Sequence, residues 1–166
     1  MTATQDVLLD AQGLAAWYGA AQILFDVSLH VRRGDYASNP KTTSTHGLCS
    51  LDYYRAAVTH VASKVENPEF FIFSDDIDWV RANLQLDFPH HFVAHNQGAT
   101  SYNDMRLMSL CSHHVIANSS FSWWAAWLSG IDKGNGGAVI APRQWFAGAA
   151  GRVGAANRFP SHWELL

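Results

Sequence analysis

From Val27 onward, short apolar runs alternate with stretches of helical period, the pattern that builds a parallel sheet covered by helices. Residues 27–31 predict a strand, and a polar loop over 37–47, with Asn39-Pro40 and several hydroxyl residues, is long enough to carry function. Leu51, Tyr54, Val58, Val61 and Val65 recur at helical spacing behind Ser50, a good helix cap. Phe70, Phe71, Ile72 and Phe73 form the unbroken apolar run of a strand buried on both faces. Ile77, Val80 and Leu84 stripe the next helix, and residues 91–94 predict a strand. Met105, Met108 and Cys111 share one face of a helix that Ser101 or Asn103 could cap. A strand at 115–117, an aromatic helix at 121–128 and a strand at 138–141 close the series. Five strands and four helices in alternation predict an α/β fold, a Rossmann-like parallel sheet with helices on both faces.

Composition narrows the class. In 166 residues, 48% are hydrophobic and 15% charged, enough apolar material for one real core. The formal net charge of -3 provides no basic field, so nucleic acid is not an expected partner and any anionic ligand must be bound locally. Cys49 and Cys111 show neither disulfide nor metal spacing. With no signal peptide or membrane span in the pattern, the expected compartment is the cytoplasm. A Gly/Ala-rich run over 147–156 reads as a loose connection.

The polar residues gather at the predicted C-terminal strand ends, where ligands sit in such sheets. His30-Val31-Arg32-Arg33-Gly34-Asp35-Tyr36 places two adjacent guanidiniums at one such end, suited to phosphate oxygens. Asp35 either orients a guanidinium or does acid–base work. Asn118-Ser119-Ser120 opens the aromatic helix and offers either an anion site or a plain N-cap. Asp75-Asp76-Ile77-Asp78 reads as a helix N-cap with acidic residues favouring the dipole, in preference to a divalent-cation site, and no metal is expected. His90, His91, His95, His113 and His114 lack zinc-hydrolase spacing. Trp123, Trp124 and Trp127 lie at helical spacing, more in keeping with core than with a stacking platform.

Five segments, "HVRRGDY", "SNPKTTSTHGLCSLDYY", "FFIFSDDIDWV", "DMRLMSLCSHHVIANSSFSWWAAWL" and "VIAPRQWF", resemble the inverting alpha-1,2-fucosyltransferases that use GDP-fucose, particularly the bacterial ones. The resemblance implies one half of a two-domain GT-B glycosyltransferase over 27–166, the GDP-fucose-binding half. It implies transfer of fucose from GDP-fucose, a donor substrate with no further cofactor, to O2 of a terminal galactose on an acceptor glycan. Arg32 and Arg33 would hold the diphosphate, His30 would sit beside the nucleoside, and Asp104 would accept from guanine N1 and N2. Asn118, Ser119, Ser120, Phe121 and Ser122 would complete the GDP-fucose site, and Arg33 with Asp35 would serve catalysis.

Residues 1–26 read differently. "LLDAQGLAAWYGAAQILFDVSLHVRRGD" resembles the opening of an ABC-transporter ATPase of the branched-chain amino-acid type, in which Tyr18 would stack adenine. No G-x-x-x-x-G-K-[ST] occurs in the chain, so ATP hydrolysis is excluded. The expectation is a chimera with an appended N-terminal segment and a missing N-terminal half. The alternative to an active transferase is a truncated, inactive domain that only binds GDP or GDP-fucose.

Overall fold

The computed structural model describes residues 17–18, 21–22, 25–130, 137–148 and 157–166. The short strands β1 (Trp17–Tyr18) and β2 (Ala21–Gln22) pair antiparallel. Then follow β3 (Phe25–Val31), α1 (Gly34–Ser38), α2 (Pro40–His46), α3 (Leu51–Ala62), β4 (Phe70–Ser74), α4 (Ile77–Asn83) and β5 (His90–Val93). The chain continues through α5 (Tyr102–Ser109), β6 (Cys111–Val115), α6 (Ser120–Leu128), β7 (Val139–Ala141) and β8 (Glu164–Leu165). Strands β3 to β8 form one sheet in the order β5-β4-β3-β6-β7-β8, every pair parallel. In sequence rank this is 3-2-1-4-5-6, the doubly wound order whose direction reverses between β3 and β6.

Side-chain alternation along β3 sorts the two faces. Val27, Leu29 and Val31 join Tyr54, Val58 and Val61 of α3 and Val80 of α4 in one core. Phe71 and Phe73 of β4 turn to the opposite face and meet Met108 of α5 and Ala125 of α6. Helices thus cover both faces, as the sequence predicts. Each fully buried Val or Leu contributes about 1.5–3 kcal/mol, and Val27, Leu29, Ile72 and Val115 are all 0% exposed.

Several boundaries differ from the sequence reading. The stretch 37–47 is not a loop. Asn39 accepts from the Lys41 and Thr42 backbone N–H groups ahead of Pro40 at the first helical position, which nucleates α2. Helix α3 stops at Ala62, short of Val65, as the chain turns through Asn67 at φ 50° into Pro68. Cys111 begins β6 instead of extending α5, so the strand read at 115–117 lies earlier in the chain. A sixth strand, β8, returns to the sheet edge. Ser101 precedes α5 without a side-chain cap bond. Trp123 packs into the cluster of Trp145 and Trp163, whereas Trp124 and Trp127 remain 49% and 43% exposed. Of the segment 1–26, all but Trp17–Tyr18, Ala21–Gln22 and residues 25–26 lies outside the described residues, as do the Tyr18 side chain and 149–156 of the Gly/Ala-rich run.

The face of the sheet covered by α5 and α6 also carries polar groups at its centre. Ser28 Oγ and His114 Nδ1 share a hydrogen bond of 2.7 Å, and His30 lies on the same side of β3. Burial pushes both imidazoles down to about 3, with Arg32 adding to the effect at His30 and His113 at His114. They stay neutral in the folded chain, while an unfolded histidine titrates near 6.5. Protons therefore favour the unfolded state below that value, and stability falls as pH drops from about 6.5 toward 3. The expected outcome is a melting temperature that declines between pH 6.5 and 4.5. His114→Asn, which keeps a partner for Ser28, should flatten that slope; an unaltered slope would contradict the assignment.

Candidate functional site

Parallel pairing sets Val31 beside Ser74, so the next residue of each strand, Arg32 and Asp75, leaves the sheet side by side. Asp75 Oδ1 accepts from the Arg33 backbone N–H at 2.8 Å, and Asp75 Oδ2 lies 3.3 Å from Arg32 Nε. Arg32 Nη2 also donates to Asp35 Oδ1 at 2.6 Å, and the Arg32 guanidinium lies 5.2 Å from the Tyr36 ring centroid. One guanidinium is therefore fixed by two carboxylates and a ring. Arg33 turns the other way, 3.5 Å over the Trp79 ring with Nε 3.3 Å from Asp76 Oδ2. The acidic start of α4 is thus an arginine holder. Asp76 makes no capping bond with its side chain, contrary to the N-cap reading.

Beyond the ends of β3, β4 and β5 opens a cleft of about 360 Å³ lined by His30, Arg32, Asp75, Asn96, Asp104 and Phe121, among others. His30, 4% exposed, packs its ring 5.7 Å from Phe121, and its Nδ1 finds no hydrogen-bond partner. Asp104 sits in the first turn of α5. Burial raises its carboxyl above the usual range, against the opposing pull of the Asn96 hydrogen bond and nearby His95. Asn96 Nδ2 donates to Asp104 Oδ1 at 2.7 Å.

The structure so brings together His30, Arg32, Asp104 and Phe121 of the residues expected from sequence. Arg33, Asp35, Asn118, Ser119, Ser120 and Ser122 are not among the cleft's lining residues. Asn118 is 2% exposed. Its amide donates to the carbonyls of His46, Gly47 and Trp145, and its Oδ1 accepts from the Cys49 thiol, which burial pushes up to about 11. Ser119 caps α6 by accepting from Phe121 N–H, Ser122 donates back to the Ser119 carbonyl, and Ser120 is exposed. Asn118, Ser119 and Ser120 nonetheless stand at the switch point between β3 and β6, where ligands of such sheets bind.

Sequence reasoning missed Asn96, which lies in a loop with no motif of its own. It also missed the pairing of Asp75 with Arg32, although adjacent parallel strands both ending in charge were a usable signal. His91 Nε2 lies 2.7 Å from the Glu69 carboxylate. Among the described residues no group of three or more His, Cys, Asp or Glu side chains could hold a metal ion. No helix among them is long and apolar enough to cross a membrane.

The doubly wound sheet, with a polar cleft holding Arg32 at the C-terminal strand ends, defines a Rossmann-like α/β domain. The profile of Glycosyl transferase family 11 matches residues 19–163, and the chain belongs to that family. The match opens inside the segment read as ATPase-like. An alpha-1,2-colitosyltransferase of Escherichia coli is 45% identical over 121 residues, 72% of this chain and 41% of that protein. The O-antigen biosynthesis glycosyltransferase WbnK of Escherichia coli is 40% identical over 122 residues, 73% of this chain and 39% of the relative. Galactoside alpha-(1,2)-fucosyltransferase 1 of Leontocebus fuscicollis is 31% identical over 107 residues, 64% and 29% of the two chains. The chain therefore spans about two-fifths of the length of the bacterial relatives and less of the primate one. No solved structure matches it.

Gly34 exists at this site because of Asp75. A Cβ on Gly34 would overlap Asp75 Oδ2, closer than atoms pack. Gly34→Ala should displace the carboxylate and destabilise the fold by about 1–3 kcal/mol, measured by denaturant unfolding. Adding Asp75→Ala should cost less than the sum of the single changes; strict additivity would refute the close contact.

Proposed function

We propose that this chain carries the donor-binding part of an enzyme that transfers fucose from GDP-fucose to O2 of a galactose on an acceptor glycan, with inversion. The observation that carries the reading is Arg32, a guanidinium fixed in the cleft between two carboxylates, facing the same space as the buried carboxylate of Asp104. Family membership and relatives named for alpha-1,2-fucosyl and colitosyl transfer support it. Fucose is the sugar favoured here, and colitose is the competing donor sugar suggested by the name of one relative.

In this reading Asp104 accepts from guanine N1–H and N2–H, and His30 borders the nucleoside as a neutral imidazole. Arg32 meets the diphosphate, with Arg33 and the α6 start at Asn118, Ser119 and Ser120 as further phosphate contacts, and Phe121 and Ser122 complete the pocket. The acceptor O2 attacks the fucose anomeric carbon as the bond to the diphosphate oxygen breaks. That oxygen keeps the electron pair and GDP departs, while the O2 proton passes to a base. Charge grows on the leaving diphosphate, so guanidiniums there act on the transition state as well as on binding, and they supply the neutralisation that a metal would otherwise bring. The Asp35 ion pair supports an orienting role for that carboxylate over that of the base. The two free cysteines accord with a reducing cytoplasm.

A second reading, a domain that binds GDP or GDP-fucose without transfer, is favoured by the pairing of Asp35 with Arg32 outside the cleft lining, which takes that carboxylate away from duty as a base toward an acceptor. Calorimetry with GDP, then assay of GDP release from GDP-fucose with a galactoside, separates the two. Binding with galactoside-dependent release supports the transferase, binding without release supports the second reading, and absence of binding overturns both. Arg32→Ala should weaken GDP by tenfold or more, about 1.4 kcal/mol per decade, and Arg33→Ala by less, because only Arg32 lines the cleft. The reverse order would contradict the placement of the diphosphate.

A further inference from the structure

We propose that Asn96 is the positioning residue that fixes which base the cleft accepts, by holding the Asp104 carboxyl group in one plane with an oxygen turned to the ligand. The inference rests on the guanine reading of Asp104 and extends it to a residue in the loop after β5.

The geometry is direct. Asn96 Nδ2 lies 2.7 Å from Asp104 Oδ1, and both residues line the cleft. An ionised carboxylate can only accept, so the amide must present its N–H to it. Asp104 is 9% exposed, and burial alone favours the protonated acid, which would be a donor as well as an acceptor. The Asn96 bond works against that tendency. It also ties down one oxygen and so fixes the plane of the carboxyl group, leaving Oδ2 without a hydrogen bond among the described residues and Oδ1 with a spare lone pair. A carboxyl group set this way selects an edge that presents two adjacent donors. Guanine offers N1–H and N2–H there; adenine offers an acceptor at N1, which meets the carboxylate as lone pair against lone pair.

Two residues after Asn96, Gly98 adopts φ 56°, and a Cβ there would meet nothing within 4 Å. The turn that follows is closed by mutual bonds between Gln97 and Thr100. That turn leads straight into Ser101 and α5, so the donor Asn96 and the acceptor Asp104 are anchored on one short, self-bonded segment. The loop is thereby rigid enough to aim an amide at a carboxylate eight residues away.

The test compares GDP with inosine diphosphate, which lacks only the N2 amino group, by calorimetry on the whole chain. Asn96→Ala should weaken GDP about tenfold and reduce the GDP-to-inosine-diphosphate affinity ratio at least threefold. Asn96→Asp, similar in size but without the donor, should do the same. A purely structural role would lower the melting temperature while leaving the ratio where it was. Asp104→Asn should abolish the ratio, and adding Asn96→Ala to it should change nothing further. If Asp104→Asn removes the preference while both Asn96 variants keep it, the positioning role is overturned and the guanine reading stands. If Asp104→Asn keeps the preference, or the chain binds neither nucleotide, both are overturned.

Discussion

The Asp75 carboxylate, accepting a backbone N–H from Arg33 with one oxygen and facing the Arg32 guanidinium with the other, is the contact on which the cleft depends. It joins the ends of two neighbouring strands through charge where the sheet's own hydrogen bonds run out. With Asp35 on its far side, Arg32 is oriented before any ligand arrives, and preorganised charge of this kind costs no rearrangement when negative charge develops. The same carboxylate dictates the absence of a side chain at Gly34. One acid therefore determines the backbone, the guanidinium and the space between them. Arg33, bonded to Asp76 and laid on Trp79, shows that adjacent arginines of identical chemistry can be given separate duties by the strand geometry beneath them.

Legibility in the sequence tracked how local the determining physics was. Strands β3 and β4 and helix α3 were evident because long uniform patterns specify them: Phe70, Phe71, Ile72 and Phe73 can hardly be anything but a doubly covered strand. Helices α1 and α2 were hidden because their residues are polar and exposed, so only the Asn39 cap and Pro40 announce them. Strand β8 escaped because a pair of residues carries no period, and its place is decided by the chain's return to β7. At the site, Arg32 could be singled out by residue type and context, and Asp104 only through the family resemblance. Their partners could not, since Asp75 depends on parallel register and Asn96 on the path of a loop.

Asn118 shows why a motif's chemistry and its geometry must be weighed together. In sequence it stands at the head of an anion-friendly helix start. In the fold its amide is spent on three carbonyls and a thiol, tying the end of α2, the end of β6 and the stretch after β7 into one knot. A buried amide with every group satisfied specifies a unique arrangement of the segments around it, and here those segments frame the switch point between β3 and β6.

The strand order has a consequence for how the molecule comes into being. Strand β3 is the first of the sheet to be synthesised and also its centre, and its neighbour β6 supplies His114 for Ser28 only 86 residues later. Until then the nascent β3–β4 pair carries an unfilled edge and a polar stripe awaiting its partner, and pairing over such separations is slow. Folding of this domain is thus a closing step imposed from its C-terminal half, during which the central strand is the part most open to association with the wrong neighbour.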